Sequence, residues 1–301
     1  MSLTWRITLK SDQPDEPEDF FSTSLGVIFP DDVTNQHGDA EHSLIYTSPH
    51  LPKPLVIDLA NPTDEGDRSL FSHYLWNASL LLAEFIEADS LGVPLDRPRA
   101  AADSLSFDAR GLDTLELGAG TALPSIMAGL FGARRVVITD YPAEPVLRTL
   151  RTNVARNLQP GLAPPGSPTT PASGVLVDGY AWGQLEDAFG AAHAHAFDRI
   201  VVADCLWMPW QHGNLHRSIA FFLRETPEAR CWVVAGFHTG REKMRGFYDA
   251  GPLRDVGLEV EHVWERDCNG EERPWDTQRE DDVTERKRWL VVASLKWIQT
   301  P

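Results

Sequence analysis

From residue 113 onward the chain alternates short apolar runs with amphipathic stretches. The runs at 113–117, 135–139, 174–180, 198–204 and 230–236 are rich in Val, Ile and Leu and read as strands. Apolar residues at helical spacing predict helices over 122–131 and 144–157, and near 211–224 and 240–250. Pro145 falls in the first turn of 144–157, where proline is tolerated. The stretch 159–173 mixes prolines with glycine, serine and threonine and reads as a loop. Strands alternating with helices predict a parallel sheet, and the Val and Ile in the central strands predict cover on both faces. The last two strands, 258–265 and 288–297, have no helix between them and predict an antiparallel hairpin. Ahead of the first core strand, Leu75, Ala78, Leu82, Phe85 and Ile86 recur at helical spacing and predict a helix over 70–86.

The first 68 residues follow a different pattern. Residues 10–19 are acidic and proline-rich and read as a mobile arm, and 31–42 is again polar. Two short apolar pieces, 25–29 and 55–59, predict a small hairpin or an extension of the main sheet. The expected organisation is an N-terminal extension, 1–68, followed by one α/β domain, 69–301.

Composition narrows the function classes. No run of about 18 apolar residues is present, so no membrane-spanning helix is expected. The segment 1–6 lacks the apolar core of a signal peptide. Cys205, Cys231 and Cys268 have no metal spacing and read as buried or free thiols in a reducing compartment, cytosolic or nuclear. A net charge of −17 makes nucleic acid an improbable partner and favours a cationic one, such as a lysine-rich peptide. The sequence leaves the oligomeric state open.

The most informative stretch is 115–124. An apolar run ends Leu115-Glu116-Leu117, turns through Gly118-Ala119-Gly120, and re-enters helix-forming residues. Twenty residues after Gly120, the run 136–139 ends in Asp140. Strand, glycine turn, helix, strand and terminal acid make a nucleotide-binding βαβ unit, and the acid can take both hydroxyls of a ribose. Glu116 would repel a pyrophosphate at the helix start. It suits a cofactor that is cationic and carries no phosphate, such as S-adenosylmethionine. The bland alternative is a tight strand–helix turn, since Ala122 stands where a dinucleotide fingerprint often has its third glycine.

Three further pieces join this one: Leu75-Trp76-Asn77-Ala78, Gly179-Tyr180-Ala181-Trp182-Gly183 and Asp204-Cys205-Leu206-Trp207. With Leu123-Pro124 and Thr139-Asp140-Tyr141-Pro142, they make the chain resemble the fungal branch of the seven-β-strand protein lysine methyltransferases, the methyltransferase-like family 16 group. Members are often labelled nicotinamide N-methyltransferase-like, and some act on elongation factor 1A. The resemblance spans about residues 70–240 and is weak over 1–68 and 265–287. It implies a Rossmann-like, seven-stranded class I methyltransferase fold and S-adenosylmethionine as cofactor. It also implies a cofactor site at Trp76, Glu116, Gly118, Gly120, Asp140, Tyr141, Trp182 and Ala203, no metal, and Asp204 and Trp207 at the reacting amine. Trp207 departs from the Tyr or Phe of the family motif, which leaves the acceptor class unsettled at this position.

Several of these residues lie at or just past predicted strand ends, where doubly wound sheets bind ligands. Each has an alternative. Trp182 stacks on adenine or packs in the core. Glu116 faces a methionine ammonium or caps the loop. Trp76 shields the methionine end or packs helix on sheet. Asp204 holds an acceptor amine, with Trp207 and Trp210 supplying aromatic faces for developing positive charge, or it is a solvated strand-end carboxylate. His212 and His216 are four apart, but no third ligand is evident. The acidic stretch 267–287 borders the site if 258–265 runs parallel to the core strands. There it grips a basic peptide or is simply solvated.

The expected function is an S-adenosylmethionine-dependent N-methyltransferase acting on a protein amine, a lysine side chain or an N-terminus. The alternatives are a small-molecule amine methyltransferase and a cofactor-binding regulatory subunit.

Overall fold

The computed structural model describes residues 2–10, 35–38, 42–61, 74–95 and 105–299. Its N-terminal part holds β1 (Ile7–Leu9), β2 (Gln36–His37), β3 (Leu44–Tyr46), β4 (Leu55–Ile57) and β5 (Leu75–Trp76), followed by α1 (Asn77–Leu91). The remainder alternates: β6 (Asp113–Leu117), α2 (Leu123–Leu130), β7 (Arg135–Asp140), α3 (Glu144–Asn157), β8 (Val175–Gly179), α4 (Ala188–His193), β9 (Arg199–Ala203), α5 (His212–Phe222) and β10 (Arg230–Gly236). It closes with α6 (Arg241–Arg245), α7 (Ala250–Asp255), β11 (Leu258–Asp267), β12 (Glu272–Pro274), α8 (Val283–Arg288) and β13 (Trp289–Trp297).

The main sheet runs β12-β11-β13-β10-β9-β6-β7-β8. The five strands from β10 to β8 are parallel, and β13 is antiparallel to both β10 and β11. The expected seven-stranded α/β arrangement is therefore present, with the short β12 added as an eighth strand at one edge. Side chains alternate between two cores. Val136, Ile138, Val201, Trp232 and Val234 join one, whereas Val137, Ile200, Val202, Val233 and Ala235 join the other. This two-sided burial is why the central strands read as continuous apolar runs.

Where sequence and structure differ, the causes are tertiary packing and, in one helix, local propensity. The helix expected over 70–86 starts at Asn77 and runs to Leu91, and Leu75–Trp76 is a strand paired with Gln36–His37; residues 70–73 lie outside the described set. Its burial extends nearly all round, because one side meets the main sheet and the others meet α2 and the N-terminal 3-10 turn Leu3–Arg6. Phe107 bridges Phe85 of α1 to Trp232 of β10, with ring centroids 4.8 and 5.2 Å apart. On the far side, Arg6 pairs with Glu84 at 3.1 Å and with Glu87 at 2.9 Å. The helix expected over 240–250 breaks into α6, a 3-10 turn at Gly246–Tyr248, and α7. Gly246 opens the 3-10 turn at this break, and Gly251 and Pro252 fall in the first turn of α7; all three are poor helix-interior residues. The strand at 258–265 extends to Asp267, and 267–287 contains β12 and most of α8. The 55–59 piece supplies β4 of an antiparallel three-stranded sheet, β1-β3-β4. The 25–29 piece and nearly all of the 10–19 arm lie outside the described residues.

That small sheet is fastened to α3 by two buried asparagines. Asn153 Oδ1 accepts from the Asp58 amide at 2.8 Å, and its Nδ2 donates to the Asp58 carbonyl at 2.9 Å. Asn157 makes the same pair of bonds with Val56, at 3.0 and 2.8 Å. An edge strand's free backbone groups are thus satisfied by side chains. Replacing Asn153 by Ala strands buried amide groups, and unfolding in denaturant is expected to show a loss of about 1–3 kcal/mol. An unchanged midpoint would mean that this attachment does not stabilise the fold.

Candidate active site

The turn after β6 is tied to the end of β7. The amides of Gly118 and Ala119 both donate to the Thr139 carbonyl, at 3.0 Å each, and Thr139 Oγ1 donates back to the Glu116 carbonyl at 2.7 Å. Gly118 has φ +73°, and a Cβ there would stand 2.8 Å from Cys205 Sγ and 3.0 Å from the Trp182 ring. Glycine at this position answers both the backbone and the close approach. The Gly120 amide donates to Asp140 Oδ2 at 2.7 Å, and the Tyr141 amide to Oδ1 at 2.7 Å. Burial pushes the Asp140 carboxyl above the usual range, while these two N–H groups pull it back.

Beside this turn lies a cleft of about 330 Å³, at the carboxyl ends of the parallel strands. Trp76, Gly118, Gly120, Asp140, Tyr141, Trp182, Ala203, Asp204 and Trp207 all line it. Nine of the ten site residues that the resemblance implies are therefore brought together. Glu116 is the exception. It is fully buried beneath the turn, its Oε2 accepting from the Ser125 amide at 3.2 Å in the first turn of α2. It takes the capping position of the two considered. Desolvation pushes its carboxyl up to about 8.

Among the described residues, the carboxylates that line the cleft are those of Asp140 and Asp204, and no Lys, Arg or His lines it. Asp204 follows β9 with φ +59°, a strained conformation for a residue with a side chain. Its amide donates to the Val234 carbonyl at 2.8 Å, and its Oδ1 accepts from the Gly236 amide at 3.1 Å. The side chain is thereby pinned to the end of β10. Burial raises its pKa, opposed by His238 and by the Gly236 amide.

Aromatic rings wall the cleft. Trp76 is flanked edge-on by Tyr74, with centroids 5.9 Å apart, and stacked by His238 at 4.5 Å. Tyr180 is held by a 2.8 Å hydrogen bond between its hydroxyl and Ser218. Trp182 is half-buried, with its ring over Gly118. Trp210, expected to offer a second face beside Trp207, is instead 72% exposed and does not line the cleft, because it sits on the outward turn Pro209–Gln211. Residues that sequence reasoning missed are Tyr74, Met208, Gln211 and Asn214, all lining. Their only signal was proximity to Trp76 and Trp207.

The acidic stretch after β11 resolves differently from either expectation. The strand β11 does run in the direction of β10, since both are antiparallel to β13. Yet several of its acids are consumed by arginines. Asp281 pairs with Arg241 at 2.8 Å and with Arg273 at 3.0 Å, Glu285 with Arg273 at 2.9 Å, Glu272 with Arg266 at 2.8 Å, and Asp267 with Arg288. Glu265 gathers Arg241, Arg273 and Arg279. The stretch is in large part an internal ion-pair lattice. His212 and His216 turn ring nitrogens toward the carbonyls of Leu206 and Phe247, at 3.0 and 2.9 Å, and burial lowers His216 to about 4. The three cysteines are free and buried, and burial raises their thiol pKa values.

Glu116 gives a pH test. Its folded pKa, about 8, lies above its ordinary 4.5. The folded protein therefore holds this proton more tightly than the unfolded chain. The associated stability is fully present below pH 4.5 and is lost as pH rises through about 8. Glu116→Gln keeps the acceptor for Ser125 and cannot ionise. Thermal unfolding is expected to show that the variant loses less stability than the wild type between those pH values. Parallel pH profiles for the two proteins would contradict the assignment.

Comparison with known proteins agrees with this geometry. The family model described as "Lysine methyltransferase" matches residues 59–247. A protein N-terminal and lysine N-methyltransferase, EFM7, of Gibberella zeae is 30% identical over 230 residues, covering 71% of this chain and 74% of its own length. The EFM7 proteins of Eremothecium gossypii and Schizosaccharomyces pombe are 31% and 28% identical, each covering 66% of this chain and 67% and 69% of theirs. Among solved structures, a protein from Streptococcus mutans assigned as a SAM-dependent methyltransferase superposes with a TM-score of 0.50 at 11% identity, over 92% of this chain and 65% of that one. That likeness is one of fold. The chain belongs to the lysine methyltransferase family and is an N-methyltransferase that takes its methyl group from S-adenosylmethionine.

Proposed function

We propose that this protein methylates a protein amine, a lysine side chain or an N-terminal amine, with Asp140 holding the cofactor and Asp204 the acceptor. The observation that carries the assignment of roles is the cleft's charge. Two buried carboxylates at different strand ends, with aromatic walls and no Lys or Arg among the described lining residues, suit a sulfonium cofactor and an amine.

The residues present fit the cofactor. Each Asp140 oxygen accepts one backbone N–H, and each keeps a lone pair for a ribose hydroxyl. Around Gly120 the space within 4 Å of a Cβ position is empty, so a ligand can approach the backbone there. Trp182, with Tyr141 and Ala203, borders the same space and offers a face for the adenine ring. Trp76 lines the same cleft and shields the methionine end. The bound cofactor supplies an electrophilic methyl group on sulfur.

The protein's part is to present a neutral nitrogen in line with that methyl group and keep water away. Asp204 Oδ1 is occupied by Gly236, and Oδ2 has no protein partner among the described residues. Oδ2 accepts an N–H of the amine and leaves the nitrogen lone pair free. The rings of Trp207, Trp76 and Tyr74 stabilise positive charge as it develops on nitrogen. A net charge of −17 draws a basic segment of the acceptor protein toward the cleft. The parentage of the relatives supports a fungal protein, and the free thiols support work in the cytoplasm or nucleus. We place the methyltransferase domain at 69–301 and the extension at 1–68.

Two measurements test the roles. Asp140→Ala removes charge-assisted hydrogen bonds, and calorimetric titration with S-adenosylmethionine should show affinity falling at least ~10-fold; unchanged affinity in a folded variant would remove Asp140 from the ribose site. Asp204→Asn should slow methyl transfer by ~10²-fold while cofactor affinity barely moves. Trp207→Phe should keep activity, and Trp207→Ala should reduce it. The assay follows radiolabelled methyl groups from S-adenosylmethionine into protein of a lysate from cells lacking the enzyme. Label entering only small molecules, or nothing at all, would overturn the protein-amine reading.

A further inference from the structure

His238 lies just past the end of β10, outside every motif that suggested function. Its Nε2 is 3.7 Å from Asp204 Oδ1, too far for a hydrogen bond but within ion-pair range. Its ring stacks on Trp76 with centroids 4.5 Å apart and planes 24° apart. A Cβ at Gly236 would stand 3.0 Å from His238 Nδ1, so the glycine that donates to Asp204 also makes room for the imidazole. Three chain segments meet at this ring: β5 through Trp76, the end of β9 through Asp204, and the end of β10 through Gly236. His238 touches two walls of the cleft without lining it.

We infer that His238 is a positioning residue for the methyl-transfer step: it fixes Asp204 with Oδ1 turned inward and Oδ2 presented to the acceptor amine. The inference rests on the role proposed above for Asp204. His238 opposes the upward push of burial on the Asp204 carboxyl, and only the ionised form offers all its lone pairs to an amine N–H. The Gly236 amide holds Oδ1 by a hydrogen bond, and the His238 ring, at ion-pair distance, attracts the same oxygen from the side-chain side. Rotation of the carboxylate, which would exchange Oδ1 and Oδ2, then breaks two interactions together. Stacking on Trp76 holds the imidazole where it can do this.

The test is a double-mutant cycle on the full chain, read as transfer of tritiated methyl groups from S-adenosylmethionine into lysate protein. His238→Leu should lower kcat by ~10-fold or more, leaving the Kd for S-adenosylmethionine within about threefold. His238→Gln keeps a polar N–H beside Oδ1 without the ring and should recover part of the lost rate. Because His238 acts through Asp204, adding His238→Leu to Asp204→Asn should cost less than about threefold further. Cofactor affinity reports folding of each variant, and the Gln variant serves if Leu disturbs Trp76. Losses that multiply in the double variant would overturn the inference, as would full activity in His238→Leu when Asp204→Asn is slow. Full activity in Asp204→Asn would overturn the role of Asp204 itself and this inference with it.

Discussion

The cleft depends on how the turn after β6 is tied to the end of β7. One carbonyl, that of Thr139, receives two consecutive amides of the turn, and the Thr139 hydroxyl returns a bond to the strand that feeds it. The next amide, from Gly120, goes to the Asp140 side chain. Four hydrogen bonds over a few residues thus fix the turn, the start of α2 and the orientation of the acid. They can form only if residue 118 holds a positive φ and carries no side chain toward Cys205 and Trp182. The floor of the cleft is then set by backbone geometry, and flexible side chains are confined to its walls.

Much of this was legible in the sequence. Strands that are buried on both faces and alternate with helices leave a strong periodic signal, and ligand sites in such sheets follow from strand direction alone. That is why Asp140, Trp182 and Asp204 could be placed together before any coordinates. Interactions that depend on distant pairing were not legible. Arg241 and Asp281 are 40 residues apart, and nothing local marks the acids of 267–287 as partners of buried guanidinium groups. The pairing of His238 with Asp204 is of the same kind. Glu116 was ambiguous for a different reason. Its place in the motif fits a ligand or a helix cap equally well, and the choice rests on which face of β6 it occupies.

Charge is distributed unevenly in consequence. The chain is strongly acidic, yet the region behind the cleft is a compact network in which Arg241 is 5% exposed and also lies over the rings of Phe237 and Trp275, at 4.2 and 5.0 Å. A pair buried this deeply is weak grounds for stability, because desolvation offsets its attraction. Its effect is geometric: it fixes the segment following β10 against β11, and that segment carries His238. The acidic character felt by a ligand comes from Asp140 and Asp204 and from the outer surface.

The strand order has a consequence for folding. The strand β13 follows β11 in the chain, yet it lies between β10 and β11 in the finished sheet. Until it arrives, β10 presents a bare edge of unpaired amides and carbonyls along an apolar seven-residue strand. Such edges recruit other strands. β11, made earlier, is the nearest wrong partner, and it would leave no slot for β13. Insertion of β13 between β10 and β11 therefore competes with direct pairing of those two strands while the chain folds.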